Sequence, residues 1–199
     1  MLFGPSKKEI WRHLAAELDG QFVKGKAFKK DKVYARHGEW IIVLDTFTRK
    51  YGNANKTFTR IRAPYLNRDD FVFQIYRAKA FSGVRSYFGM QDVEVGDPYF
   101  DKDFVIQGND IRKLKMFFKH VEIKDLIMHQ PNILMKIRED EDKLFAPPFP
   151  KGINEVYFES RGVIKNIEQL HDLFELFALT LDHLHNIGTA WNERPEQNV

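Results

Sequence analysis

The residues best suited by type and spacing to do chemistry are arginines on a short alternating segment. From Thr57 to Ala63 the side chains alternate, so Phe58, Arg60 and Arg62 share one face of a strand, and Thr57, Thr59 and Ile61 the other. A second alternating run sets Phe71, Phe73 and Ile75 against Val72, Gln74 and Tyr76. If the two runs pair as a hairpin, Gln74 and Tyr76, or else Arg77, lie beside the arginines. Two guanidiniums and a tyrosine hydroxyl could hold a carboxylate or a phosphate. Arg60, Arg62, Tyr76 and Arg77 are therefore the candidate binding residues. The competing reading is a solvated sheet face on which arginine stems cover apolar surface. Phe81, Tyr87 and Phe88, among glycines and a serine, form a candidate contact loop; the same rings could instead tuck under a sheet edge as core.

Other constellations carry less. Glu168-Gln169-Leu170-His171 has the Glu-x-x-His spacing of metal–carboxylate bundles, but such sites need a second copy and the chain has none. Its bland reading is a solvated helix face. His183 and His185 are two apart and so point to different sides of a helix, whereas a ligand pair is spaced by three or four. His37, Asp45 and the serines could be imagined as a triad, yet no Gly-x-Ser-x-Gly elbow occurs. Neither glycine-rich phosphate motif is present. With no cysteine, disulfides, thiolate catalysis and cysteine-ligated zinc are excluded. The expectation is a protein without metal or cofactor.

Formal net charge is +3, from 31 basic and 28 acidic residues. That near-balance makes no general case for nucleic acid. Lys24, Lys26, Lys29, Lys30, Lys32 and Arg36 read as an exposed hairpin that blunts a sheet edge against aggregation. No apolar run approaches the ~18–20 residues of a membrane helix, and Met1 to Pro5 has no signal-peptide pattern. No membrane insertion and a cytoplasmic location are expected. Hydrophobic residues are 43%, with 18 phenylalanines, enough for a ring-filled core. One domain over 1–199 is expected, with flexible ends at 1–5 and 190–199.

These residues must be positioned by an α+β fold. Ser6 and Glu9 form a capping box ahead of helical spacing at Ile10, Trp11, Leu14 and Leu18, which predicts a helix over 6–19 with Gly20 at its C-cap. Strands are predicted over 21–28, 33–37, 40–44, 57–63 and 71–76, joined by polar turns as an antiparallel meander. Tyr51 to Asn55 reads as a loop, and Pro64 as a strand end. A Gly96-Asp97-Pro98 turn leads into a short strand at Phe104–Ile106, broken at Gly108, with Asn109 as a helix cap. Two helices follow, marked by Ile111, Leu114 and Phe117 and by Ile123, Leu126 and Ile127. Further strands are predicted over 133–138 and 156–164. Ile167, Leu170, Phe174, Phe177, Leu181 and Leu184 then make the stripe of a helix about 32 Å long, enough to cross a sheet.

The block Phe100-Asp101-Lys102-Asp103-Phe104-Val105-Ile106-Gln107-Gly108-Asn109-Asp110, followed by a helix pair and a long amphipathic helix, resembles a bacterial family known only as a domain of unknown function, many of whose members carry an F-D-x-x-F-x-V block after an aspartate–proline turn. The likeness covers roughly residues 96–190. The segments His37-Gly38-Glu39-Trp40 and Arg62-Ala63-Pro64-Tyr65 resemble blocks of uncharacterised relatives. Many longer family members have membrane segments ahead of this region; none is expected in this chain. The resemblance implies a self-contained bacterial domain and brings no catalytic residue, cofactor or substrate. The expected function is a non-enzymatic binding or protein-interaction module, for a protein or a small anionic ligand, with homo-oligomerisation left open. The alternative is a hydrolase-type enzyme with a site assembled from dispersed polar residues.

Overall fold

The computed structural model describes residues 4–26, 30–78, 90–139 and 149–195. Among them run five helices and nine strands, and all the strands belong to one antiparallel sheet.

The N-terminal helix α1 (Lys7–Glu17) starts as its capping box dictates, with Ser6 accepting from the Glu9 N–H and Glu9 reaching back to the Ser6 N–H at 2.8 Å. Its end differs from expectation. The left-handed residue is Asp19 (φ 48), while Gly20 is needed for space: a Cβ there would sit 2.4 Å from the Tyr34 carbonyl oxygen.

Strands β1 (Gln21–Val23), β2 (Lys32–His37), β3 (Trp40–Tyr51) and β4 (Ala54–Leu66) form the expected meander. Two are longer than their apolar runs. β3 and β4 turn tightly at Gly52 and Asn53, so the predicted loop is a hairpin tip. β4 continues through Pro64 because its ladder to β3 stops at Arg62; beyond it, the missing N–H faces no strand on that side.

The meander then breaks. β5 (Phe73–Arg77) does not pair with β4. It lies between β8 (Leu134–Arg138) and β7 (Phe104–Gly108), with β6 (Gln91–Asp92) at the far edge. β9 (Ile153–Arg161) fills the gap beside β4, which gives the order β1-β2-β3-β4-β9-β8-β5-β7-β6.

The Asp97-capped turn opens a short helix, α2 (Pro98–Asp103), that the sequence reading did not anticipate. Asp97 accepts from the Phe100 N–H, and the Asp101 carboxylate accepts from the N–H groups of Val95, Gly96 and Asp97. The helix pair is α3 (Ile111–Phe117) and α4 (Val121–His129). Asp110, not Asn109, caps α3; Asn109 instead ties Val72 to Asp70.

The last helix, α5 (Ile167–Asn186), buries Leu170, Phe174, Phe177, Leu181 and Leu184 in the core, with Ile167 at its margin. Trp40, Phe71 and Phe73 belong to the same core. All helices that contribute to it lie on one sheet face, the face of Ile61, Ile75, Ile106 and Phe158. The Trp11 indole N–H donates to the Ile164 carbonyl across this layer at 3.2 Å.

Candidate functional site

The other sheet face is polar, and its register aligns charged side chains in rows. Arg62 lies opposite Tyr157, Tyr157 opposite Lys136, Lys136 opposite Gln74, and Gln74 opposite Gln107. The next row on this face runs Asp45, Arg60, Glu159, Leu134 and Tyr76. One row beyond Arg62, Glu155 pairs with Arg138. The long charged side chains here are buried: Arg62 is 8% exposed, Glu155 2% and Glu159 4%. A buried ion must be paired and hydrogen-bonded, and most of these are.

Arg60 donates from Nε and Nη2 to both oxygens of Asp45, at 2.8 and 2.7 Å. Burial opposes the charge of Arg60, but the hydrogen bonds and charge of Asp45 outweigh it and hold the guanidinium above its ordinary pKa. Arg138 donates to Glu155 at 2.9 and 2.6 Å and stacks over the Tyr157 ring. Glu159 accepts two bonds from Arg49, at 3.0 and 2.9 Å, and one from the Tyr157 hydroxyl at 2.7 Å. Burial first, then the Glu159 charge, push the Tyr157 hydroxyl far above the usual phenol range. The Gln74 amide donates to Gln107, which donates to Asp92.

Arg62 is different. Its guanidinium sits between Asp45 and Glu155 at 3.7 and 3.8 Å, beyond hydrogen-bond reach, and its buried Nε has no acceptor.

The anticipated group of four is thus split. Arg60 and Arg62 share a face and a carboxylate, Asp45. Tyr76 is on that face but three strands from Arg60, about 14 Å at ordinary strand spacing. Arg77 is on the opposite face. It donates to the carbonyls of Met128 and Gln130 at 2.9 and 3.0 Å, pairs with Asp103 at 3.3 Å and lies over Phe104. The expected proximity of both residues to the arginine pair required a β4–β5 hairpin, and β9 and β8 lie between those strands instead. Phe81, Tyr87 and Phe88 lie outside the described residues. Sequence reasoning missed Glu155, Tyr157 and Glu159, although their alternation with Val156 and Phe158 was a usable signal.

The imagined triad is dispersed as well. His37 pairs with Asp182 of α5 at 2.9 Å on the helix side, whereas Asp45 is on the polar side. His171 meets Glu17 of α1 at 2.8 Å. Among the described residues, no group of three His, Asp or Glu side chains is placed to hold a metal ion, and no helix is long and apolar enough to cross a membrane.

No family profile and no curated protein sequence matches this chain. Among solved structures, it is similar to the mycobacterial trehalose monomycolate transport factor A, TtfA. The TM-score is 0.54 at 8% identity, over 96% of this chain and 98% of that one. At that identity the likeness concerns the fold alone.

Proposed function

We propose that this chain is a non-enzymatic, cytoplasmic binding module that holds a small anionic ligand on the polar sheet face at Arg62. One observation carries the reading: a buried guanidinium whose Nε lacks an acceptor and whose two carboxylates stand beyond hydrogen-bond distance. Buried donors are almost always satisfied, and a carboxylate or phosphate oxygen matches the guanidinium fork. Asp45 and Glu155 do not repel such a ligand fully, because each is already bound by another arginine, Arg60 and Arg138.

The hydrolase alternative has less support. The Tyr157 hydroxyl, the nearest nucleophile type, donates to Glu159 and is held protonated. A fold shared with a transport factor is compatible with a role in binding.

The test is thermal melting in phosphate against chloride at matched ionic strength. A ligand at ten times its Kd adds about 1.4 kcal/mol, a rise of a few degrees for a chain of this size. The parent should show that rise and Arg62→Met should not. Equal responses would make the face a closed ion-pair lattice and end the proposal.

A further inference from the structure

One end of the sheet gathers a cluster of lysines with Arg161. β1 ends with Val23 opposite Lys32, and Val33 faces Leu44, so the β1–β2 loop lies at the end toward which β3 runs. β9 ends there too, with Arg161 opposite Phe58. The loop contributes exposed Lys24, Lys26 and Lys30. The hairpin adds Lys50 and Lys56, with no acid between Thr46 and Phe58; its Arg49 is already paired with Glu159. Across residues 24–32, 46–58 and 161–165 the sole acidic residue is Asp31, and Lys7 already holds it at 2.9 Å. The chain as a whole carries only +3, so this end is far more basic than the average of the molecule.

The hairpin leads the patch. Past Thr48 on β3 and before Thr57 on β4, its two strands pair only with each other. Three residues per strand give a projection of about 10 Å. Its tip is amphipathic: Tyr51 is 44% exposed, with the Lys56 ammonium over its ring at 4.8 Å. Two aliphatic side chains are bared at the same end, Val23 at 41% and Val163 at 37%.

We propose that this end of the sheet is a peripheral docking surface for an anionic lipid bilayer, with the β3–β4 tip seated among the headgroups. Charge complementarity selects an anionic partner. The apolar residues select a bilayer over a nucleic acid. Exposed valines gain nothing from phosphates or base edges, but they leave water at the headgroup–acyl boundary, where tyrosine also settles. Cations spread over three connections suit a broad charged plane. The docking is at the surface and requires no spanning segment.

The test is co-sedimentation with vesicles of phosphatidylcholine alone and with about a third phosphatidylglycerol. The chain should bind the anionic vesicles and ignore the neutral ones, and its binding should fall as salt rises. Lys50→Gln/Lys56→Gln should weaken binding at least about tenfold. Tyr51→Ser should weaken it while leaving the salt dependence unchanged. The contacts of Tyr51, with Phe58, Lys56 and Arg49, stay within the hairpin, so the variants should melt close to the parent. Equal binding to both vesicles, no binding, or variants that bind like the parent would overturn the proposal. So would tight binding to duplex DNA with none to vesicles, which would reassign the patch to nucleic acid. Arg62→Met should bind vesicles like the parent, so this proposal and the anion site stand or fall separately.

Discussion

Asp45 and Arg62 share one ion network but hold opposite positions in it. Asp45 is 4% exposed and neutralises Arg60 through two short bonds. Asp45→Asn leaves the partly buried Arg60 guanidinium without its counter-ion, a change that should cost up to about 3–5 kcal/mol, the cost of breaking a fully buried pair. Arg62→Met removes a cation whose bonds are not made, while Asp45 and Glu155 keep Arg60 and Arg138. Its cost should stay below about 1.5 kcal/mol, as for the replacement of a buried charge by an apolar side chain of similar length. Urea unfolding of the two variants measures both. A larger loss for Arg62→Met would mean that Arg62 is the keystone of the network rather than its open position. The arginine pairing on one face was legible from residue alternation. The carboxylates around it were not, because Asp45 and Glu155 come from strands far apart in sequence.

At the scale of elements, α5 is the decisive unit. Its stripe at steps of three and four was readable directly from spacing, and Phe174, Leu181 and Leu184 are buried as that spacing requires. Leu173 and Leu176, off that stripe, are buried too, on the side of α5 where Asp172 meets His129 of α4. Phe174→Ala should therefore cost about 3–5 kcal/mol in urea unfolding. Glu175→Ala, at an exposed position, should cost less than about 0.5 kcal/mol. A chain ending before Lys165 loses the longest helix of the layer that covers the sheet and should be insoluble or molten. A cooperative melt of that product at the parent temperature would make α5 an appendage.

At the scale of the whole molecule, the junction of α5 with α3 and α4 ties stability to pH. His183 lies against Phe117 and His120, and its Nε2 donates to the Met116 carbonyl at 3.3 Å. Burial, reinforced by the neighbouring His120, depresses its pKa below the ordinary 6.5. As pH falls through 6.5, the unfolded chain takes up a proton at this imidazole before the folded chain does. Stability must then fall with pH until the lower folded-state pKa is passed. Asp97, hydrogen-bonded by Lys124, has a lowered carboxyl pKa and adds a further loss at more acid pH. The melting temperature should be level above neutrality and begin to fall below about pH 6.5. His183→Gln should remove that first fall; an unchanged profile would assign it to another group.

The order of elements, the capping box of α1, the helix pair and the face of α5 were all set locally, by periods of two and 3.6 and by side chains that bond their own backbone. They follow from residues within one turn or one strand of each other. The strand order was not. A meander predicts that β5 returns to β4, and nothing local distinguishes that partner from β7 and β8. Only the closing of the core beneath the helices, with Phe73 packed on Phe117 and Phe118, placed β5 three strands from β4 and left the space beside β4 for β9. The same choice moved Tyr76 away from Arg60, turned Arg77 to the α4 end, and set Glu155, Tyr157 and Glu159 beside the arginines. Pairing between distant strands depends on what the whole sheet buries, and that is decided in three dimensions.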